Sequence, residues 1–151
     1  MAAALQLPTY DIIIFGASGF TGKYVVREVL KFLDSPNSPL KTLALAGRNT
    51  SKLSQTLKWA STSHPAVPFI IADTSDLSSL RRMASQAKLV LDCVGPFRLY
   101  GDPVVAACVE AGCDYLDISG EPELLTPLNH CWRPRKPITD HGYGFQDGIS
   151  P

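Results

Sequence analysis

Apolar residues along the chain recur with two alternating periods, and this alternation predicts a repeated strand–helix unit. The run from Tyr10 to Phe15 is β-prone throughout, as is typical of a strand that is covered on both faces. Apolar residues then recur at helical spacing as far as Leu33, and the Pro- and Ser-rich residues 35–39 end that helix. The same unit repeats, which predicts strands at residues 10–15, 42–47, 67–73, 89–95 and 113–119, and later helices at 50–60, 76–87 and 102–111.

Residues at the predicted helix ends support these boundaries. Asp76 is a favourable N-cap for the third helix. The fourth helix is predicted to have Asp102 as its cap, Pro103 at its first position and Gly112 past its end. Strict alternation with short connections indicates a parallel sheet with helices on both faces. Because such crossovers are right-handed, the predicted fold is α/β: a Rossmann-like, doubly wound parallel sheet with strand order 3-2-1-4-5.

Length and composition agree with one such domain followed by a short irregular segment. The chain has 151 residues, of which 45% are hydrophobic, enough to bury a core. Residues 1–127 are predicted to form the domain. Residues 128–151 contain scattered Pro and Gly without a sustained apolar period, so they predict an irregular tail and no second domain.

Charge and cysteine usage argue against several classes of function. Lys+Arg and Asp+Glu both number 14, so no global charge attracts the chain to nucleic acid. The 4 cysteines form no C-x-x-C pair, and no metal site is predicted. The chain shows no signal-peptide pattern, and no apolar run reaches the roughly 20 residues that a membrane span needs. A reducing, cytoplasmic setting is therefore expected.

The turn after the first strand carries the strongest chemical signal. Gly16, Gly19 and Gly22 form G-x-x-G-x-x-G between a strand and an amphipathic helix, as a dinucleotide site requires. A nucleotide-binding P-loop is rejected, because alignment on its Gly-Lys pair places Ala17 and Tyr24 where glycine and a hydroxyl residue are needed. The remaining alternative is an ordinary glycine-rich βα turn.

Each glycine of this turn has a distinct predicted role. Gly16 permits the tight turn, Gly19 lets the backbone approach a pyrophosphate, and Gly22 allows close packing of helix and strand. The N–H groups of the first helical turn and the helix dipole then face the pyrophosphate. The predicted pyrophosphate-binding residues are Gly16, Ala17, Ser18, Gly19, Phe20, Thr21 and Gly22.

The end of the second strand indicates which dinucleotide is bound. An NAD site usually places an acidic residue there, but this chain has Arg48. No acidic residue lies between Asp34 and Asp73, whereas this window contains several basic residues. Arginine can grip a 2′-phosphate through paired, charge-assisted hydrogen bonds, so the predicted cofactor is NADP. The alternative is that Arg48 is only a solvated loop charge.

Two further strand ends lie on the same predicted edge of the sheet. Asp73 can accept a hydrogen bond from the adenine amino group, or it can cap the nearby helix. Gly95 would let the backbone lie against the cofactor, and Pro96 would stiffen that wall. Cys93 is interpreted as a buried strand residue and not a nucleophile, because no histidine lies near it in sequence.

The end of the fifth strand supplies candidates for substrate contact, but the chain offers no assigned catalytic residue. Asp117, Ser119 and Glu121 are expected near the nicotinamide half of the crevice. The Tyr-x-x-x-Lys pair, in which lysine lowers the tyrosine pKa for proton transfer, does not occur in this sequence. That type of dehydrogenase chemistry is therefore excluded, and the catalytic residues are left unassigned.

Several segments together resemble a known family. "FGASGFTG", "LAGRNTSKL" and "LDCVGPFRLYGDPVVAACVEAGCDYLDISGE" are similar to the amino-terminal domain of saccharopine dehydrogenase-like oxidoreductases, a family that includes trans-acting enoyl reductases. The similarity runs from Tyr10 to Glu123. It implies NADP binding with the three glycines and Arg48 at the cofactor. It also implies an oxidoreductase role, a link to lipid metabolism and, for some relatives, association with lipid droplets or membranes.

The same resemblance bears on what this polypeptide can do alone. Full-length members continue past "DISGE" into a second α/β domain that closes over the cofactor, whereas the tail of this chain does not resemble that continuation. The chain is therefore expected to be a truncated or alternatively spliced product, or the result of a mispredicted gene model, which binds cofactor without turnover. The alternatives are a non-catalytic dinucleotide-binding redox sensor and an inactive fragment.

Overall fold

The computed structural model describes residues 7–61, 63–64 and 66–119, in which five strands and four helices alternate. They are β1 (Tyr10–Phe15), α1 (Phe20–Asp34), β2 (Leu43–Gly47), α2 (Thr50–Ala60), β3 (Phe69–Ile71), α3 (Leu77–Ala84), β4 (Ala87–Asp92), α4 (Phe97–Ala111) and β5 (Asp114–Asp117).

The strands form one parallel sheet in the order β3-β2-β1-β4-β5, which confirms the predicted Rossmann-like fold. Strand β1 lies at the centre, where Ile13 is opposite Ala44 on one side and Val90 on the other. Ile13 and Ile14 are both fully buried, one on each face of the sheet. The unbroken apolar run of β1 is therefore a consequence of cover on both faces.

Two apolar layers hold the sheet between its helices. Alternate residues of β1 point to opposite sides, so Ile13 joins the layer under α3 and α4 while Ile14 joins the layer under α1 and α2. Leu80 of α3 lies in the first layer, and Val26 of α1 lies in the second. This arrangement leaves the carboxyl ends of all five strands along one edge.

The fourth helix corrects the sequence interpretation, because it begins at Phe97 and not after Asp102. Pro96 is the N-cap residue, and Pro103 lies inside the helix, where it has no N–H to donate. Phe97 is buried, and Gly101 fits beneath the Tyr115 hydroxyl, which lies 3.9 Å from where a Cβ would stand. The extra turn thus buries Phe97 and Gly101, while Leu99 and Tyr100 stay exposed.

Other predicted boundaries agree more closely with the structure. Asp76 caps α3 as predicted, since its Oδ1 accepts from the N–H groups of Ser78 (3.0 Å) and Ser79 (3.2 Å). Gly112 ends α4 in the left-handed region, with φ 71°. Strand β4 ends at Asp92, three residues earlier than predicted, so the next residues form a loop at the sheet edge.

The amino ends of three strands are tied together by Asp11. Its Oδ2 accepts from the N–H groups of Lys41 (2.8 Å) and Thr42 (3.0 Å), and its Oδ1 accepts from Lys88 Nζ (2.6 Å). The hydrogen bond from Lys88, with help from the two backbone bonds, lowers the pKa of Asp11 to about 2. The carboxylate therefore joins the starts of β1, β2 and β4 from the side opposite the carboxyl ends.

Candidate functional site

A cleft of about 450 Å³ lies at the carboxyl edge of the sheet, where the chain leaves β1, β2, β3 and β4. Open α/β sheets bind ligands at this edge, near the point where the strand order reverses. We call it the sheet-edge cleft. Its lining residues are Phe15, Gly16, Ser18, Gly19, Gly47, Arg48, Asp73, Thr74, Ser75, Cys93, Val94, Gly95 and Tyr100.

The glycine turn forms the floor of this cleft at the end of β1. Gly16 has φ +77°, and a Cβ there would lie 2.7 Å from Val94 Cγ2. A Cβ on Gly22 would overlap the Gly16 carbonyl oxygen. Gly19 differs, because its nearest neighbour would be the same oxygen at 3.3 Å. Two glycines are thus required by the turn itself, while the third leaves space on the cleft side.

Helix α1 presents its amino end to the cleft. Gly19 is its N-cap residue, no side chain caps the helix, and the first turn contains no acidic residue. Free backbone N–H groups and the positive end of the helix dipole therefore lie beside Ser18 and Gly19. This arrangement suits an anionic ligand such as a pyrophosphate.

Arg48 lies between the sheet-edge cleft and a smaller cavity of about 310 Å³ lined by Ser18, Arg48, Asn49 and Lys52. Asn49 caps α2 by accepting from the Lys52 N–H at 3.1 Å. Among the described residues, the Arg48 side chain makes no hydrogen bond or salt bridge. Two cations and a helix amino end thus meet at this cavity, which we call the Arg48 cavity.

Asp73 also lines the sheet-edge cleft, and its carboxylate is fixed by its own turn. Oδ1 accepts from the N–H of Ser75 (2.9 Å) and from its hydroxyl (2.8 Å). These bonds lower the pKa of Asp73, with a smaller contribution from the Arg48 charge. Asp73 was predicted either to contact the adenine or to cap the nearby helix. Asp76 is the N-cap residue of α3, so Asp73 does not have the capping role.

The loop after β4 forms the opposite wall. Cys93 lines the cleft, but burial raises the pKa of its thiol to about 12, so the thiol is neutral at physiological pH. The neutral thiol agrees with the prediction that Cys93 is not a nucleophile. The prediction of a buried strand residue was wrong, because β4 ends at Asp92 and Cys93 is only partly buried. Val94 leans against Gly16, Gly95 lines the cleft, and Pro96 caps α4 after a cis peptide bond.

Some predicted residues do not line the cleft. The Ala17 side chain is fully buried, Gly22 lies beneath the turn, and Phe20 is 79% exposed on the outer side of α1. Thr21 is exposed, and Pro96 is likewise absent from the lining. Glu121 lies outside the described residues. A backbone role for residues 16–22 in holding a pyrophosphate stays a prediction.

Several lining residues were not anticipated from the sequence. Tyr100 belongs to the first turn of α4, and it was missed because that helix was predicted to begin later. Thr74 and Ser75 follow Asp73 directly. Two hydroxyl residues after an acidic residue at a strand end could have predicted their place in the cleft. Lys52 is one of the basic residues between Asp34 and Asp73, and its place at the Arg48 cavity was not predicted.

The end of β5 contributes a group of three hydrogen-bonded side chains. Tyr115 Oη lies 3.2 Å from Asp92 Oδ2 and 3.0 Å from Asp117 Oδ2. Asp117 Oδ1 accepts from the Ser119 N–H at 3.0 Å. Asp92 is fully buried, and this burial raises the pKa of its carboxyl to about 6. Asp117 and Ser119 therefore lie beside the β4 end, although neither lines the cleft.

The described part of the chain has neither a cluster of metal-ligating side chains nor a membrane-spanning helix. No group of three or more His, Cys, Asp or Glu side chains is arranged there to hold a metal ion. None of the helices described is both long enough and apolar enough to cross a bilayer.

The fold and the cleft define the class of protein. A parallel 3-2-1-4-5 sheet, a glycine turn at a helix amino end and an arginine after β2 are the features of a dinucleotide-binding domain. The chain belongs to the family described as the saccharopine dehydrogenase NADP binding domain, whose model matches residues 12–139. NADP is the dinucleotide that this family description names, in agreement with the cofactor predicted from Arg48.

Similar proteins occur in distant organisms. A probable mitochondrial saccharopine dehydrogenase-like oxidoreductase of Arabidopsis thaliana is 64% identical over 122 residues, covering 78% of this chain and 27% of its own. A lipid droplet localized protein of Caenorhabditis elegans is 45% identical, covering 79% of this chain and 28% of its own. A trans-acting enoyl reductase of Mycobacterium leprae is 40% identical, covering 74% of this chain and 26% of its own. These names confirm the family resemblance.

The chain is also similar in fold to a larger enzyme of known structure. Apo saccharopine dehydrogenase (L-Glu forming) of Saccharomyces cerevisiae superposes with a TM-score of 0.60 at 17% identity, over 79% of this chain and 24% of that one. The chain therefore spans about a quarter of the length of these relatives.

Proposed function

We propose that this chain binds NADP(H) in the sheet-edge cleft. The pyrophosphate would lie against Gly19 and the amino end of α1, and the 2′-phosphate would occupy the Arg48 cavity beside Lys52. The observation that carries the proposal is the Arg48 side chain, which is unpaired among the described residues and borders both cavities. A 2′-phosphate supplies the acceptor oxygens that a planar guanidinium binds in pairs.

Replacing Arg48 tests the proposal directly. A hydrogen bond to a charged group contributes roughly 1.5–3 kcal/mol, so Arg48→Ala should weaken NADPH binding roughly 10- to 150-fold. NADH binding should barely change, since NADH lacks the 2′-phosphate. Lys58→Ala removes the same charge from α2 at a residue that lines neither cavity, and it serves as the matched control. Calorimetric titration with both dinucleotides measures the two affinities.

Two results would contradict this assignment. Equal losses for NADPH and NADH in Arg48→Ala would mean that Arg48 has a structural role. No binding of either dinucleotide to the wild-type chain would favour the inactive fragment.

We further propose that the 151-residue chain belongs to an oxidoreductase but binds cofactor without turnover by itself. Hydride transfer requires a substrate held against the nicotinamide with water excluded. The relatives that carry an oxidoreductase name are more than three times as long as the matched region. Turnover of a carbonyl or enoyl substrate by the purified chain would overturn this proposal, and NADPH binding with no turnover in any context would favour a redox sensor. The domain boundary at residue 127 stays a prediction.

A lipid surface is the proposed setting in which the protein acts, as part of lipid metabolism. The worm relative is named for lipid droplets, and this chain has an exposed aromatic cluster on α1 and α2. Phe20, Tyr24 and Trp59 pack edge to face, and Lys23 Nζ lies 5.1–5.5 Å from the three ring centroids. Aromatic rings with neighbouring cations suit the boundary between apolar chains and anionic head groups. We call this cluster the aromatic face.

The cytoplasmic location expected from the sequence also stays a proposal. The Arabidopsis relative bears the word mitochondrial in its name, which describes that protein.

A further inference from the structure

Three hydrogen-bonded side chains lie at the ends of β4 and β5, namely Asp92, Tyr115 and Asp117. If both carboxyl groups are ionised, the group has one proton for two close O···O contacts. Tyr115 Oη lies 3.2 Å from Asp92 Oδ2 and 3.0 Å from Asp117 Oδ2, both within hydrogen-bond distance. A phenol carries one proton, and an ionised carboxylate can only accept. Two O···O contacts of this kind are both hydrogen bonds only when one proton beyond that of Tyr115 resides on a carboxyl group.

The extra proton belongs on Asp92. This residue is fully buried, whereas Asp117 is partly exposed and has a second acceptor bond from the Ser119 N–H. Desolvation disfavours a buried carboxylate, and burial raises the pKa of Asp92 to about 6. When Asp92 is ionised, Tyr115 Oη can donate to only one of the two carboxylates; when Asp92 is protonated, Asp92 can donate to Tyr115 Oη while the Tyr115 hydroxyl donates to Asp117 Oδ2.

The other titratable groups near Asp92 in the described chain do not supply a counter-charge. Burial raises the pKa of the Cys93 thiol on the same strand end. The hydrogen bond with Cys113 raises the pKa of the Cys108 thiol on α4. Burial and both neighbouring carboxylates raise the pKa of Tyr115. The Asp117 carboxylate raises the pKa of Asp92 further, because two neighbouring negative charges repel each other.

Asp92 is connected to the sheet-edge cleft through its other oxygen. Oδ1 accepts from the Val94 N–H at 2.8 Å, and the Val94 side chain lies against Gly16 of the glycine turn. Val94 lines the cleft, although Asp92 itself does not. The Asp92 carboxyl therefore holds Val94 in place against the glycine turn. The charge of this carboxyl also acts electrostatically on a ligand bound in the sheet-edge cleft.

We propose that Asp92 is a positioning residue of the cofactor cleft, which shares one proton with Asp117 through Tyr115 and takes up that proton more fully when dinucleotide binds. The proposal rests on the proposed function, because the bound pyrophosphate and 2′-phosphate supply the negative charge. Anions near a buried carboxylate favour its neutral form. Affinity for NADPH should therefore be higher when Asp92 is protonated, and should fall as the pH rises above about 6.

The proton sharing can be tested without any cofactor. Carbon-13 NMR of the carboxyl groups in the free chain should show Asp92 titrating near pH 6. Asp117→Asn should lower that midpoint by roughly one pH unit, because the amide donates to Tyr115 Oη and frees its proton for Asp92. An ordinary carboxyl midpoint in the wild type, or no change in Asp117→Asn, would overturn the proposal.

The coupling to the cleft is tested by calorimetry at pH 7 in buffers of different ionisation enthalpy. Asp92→Asn mimics the protonated acid, since its amide donates to Tyr115 while its carbonyl still accepts from Val94. Wild-type protein should take up roughly 0.3–0.5 proton more than Asp92→Asn on binding NADPH. The 2′-phosphate titrates in the same range, and the difference between the two proteins removes its contribution.

The conservative variant separates positioning from simple structural support. Asp92→Asn should bind NADPH at pH 6 about as well as the wild type and lose affinity less steeply up to pH 8, with the 2′-phosphate causing the dependence that remains. Asp92→Ala should bind weakly at every pH. Equal proton uptake by wild type and Asp92→Asn would overturn the coupling. Loss of NADPH binding in every protein, wild type included, would overturn the proposed function and the coupling together, while the carboxyl titration still decides the proton sharing.

Discussion

At the scale of single residues, the three glycines of the turn are constrained by different neighbours. Gly16 is held by its positive φ and by Val94, and Gly22 by the carbonyl oxygen of Gly16. Gly19 meets only one atom at 3.3 Å, so the fold has room for a methyl group there after a small shift. What Gly19 leaves open is the approach of a ligand to the helix amino end.

We therefore expect Gly19→Ala to fold normally and to lose NADPH binding, because its methyl group would stand between the backbone and the pyrophosphate. Gly22→Ala is the matched comparison, and overpacking against the turn should lower its stability by roughly 1–3 kcal/mol. Thermal unfolding and NADPH titration of both variants measure the two effects. Unaltered affinity in a folded Gly19→Ala protein would show that the dinucleotide lies elsewhere.

At the scale of elements, Asp11 joins three strand ends through its hydrogen bonds to Lys41, Thr42 and Lys88. The Lys88 side chain is 61% exposed, so solvent screens its part of the interaction. The backbone bonds are less screened, since the Asp11 side chain is only 14% exposed. Parallel strands have no hairpin connections that would align their starts. Here the Asp11 carboxylate joins the starts of three strands.

Asp11→Asn should lower the free energy of unfolding by roughly 1–1.5 kcal/mol at pH 7, after allowance for screening. The lowered pKa of Asp11, about 2, means that this stabilisation is present above pH 4 and is lost as the pH falls through 2. Urea unfolding from pH 7 to pH 2 should show the difference between the two proteins disappearing. Asp102→Asn, on exposed surface, should cause little change at any pH.

At the scale of the whole molecule, a net charge of zero conceals local asymmetry. Lys23 and Arg27 lie over the rings of the aromatic face, with Arg27 5.2 Å from the Tyr24 and Trp59 centroids. Cation–π contacts hold these charges beside exposed apolar rings, although the net charge of the molecule is zero. Attraction to a lipid surface would thus be confined to one side of the protein.

We expect the chain to float with vesicles of phosphatidylcholine and phosphatidylserine, and to do so less as salt is added. Trp59→Ala should weaken this association by roughly tenfold, or about 1.4 kcal/mol. Phe32→Ala removes another exposed ring of α1, roughly 18 Å along the helix from Phe20, and should have little effect. Equal flotation of the wild type and both variants would exclude the aromatic face as the docking surface.

The sequence by itself determined the fold class, the strand order and the position of the glycine turn. Apolar runs such as Tyr10–Phe15 are encoded locally, and strict βα alternation leaves few topologies once crossovers are right-handed. The position of Arg48 at the cleft could also be predicted, because the residue after the second strand lies at the sheet edge in this fold. Only the local pattern of residues and the general rules for connecting strands and helices are needed to predict these features.

Tertiary structure alone decided the start of α4 and the group around Asp92. Helix α4 extends back to Phe97 because burial there outweighs the local signal of Pro103, and this brings Tyr100 into the cleft. Asp92 lies opposite Asp117 because of the β4–β5 register, a pairing across 25 positions that no local pattern specifies. Burial then changes the chemistry of the Asp92 carboxyl, and burial is a property of the packed molecule.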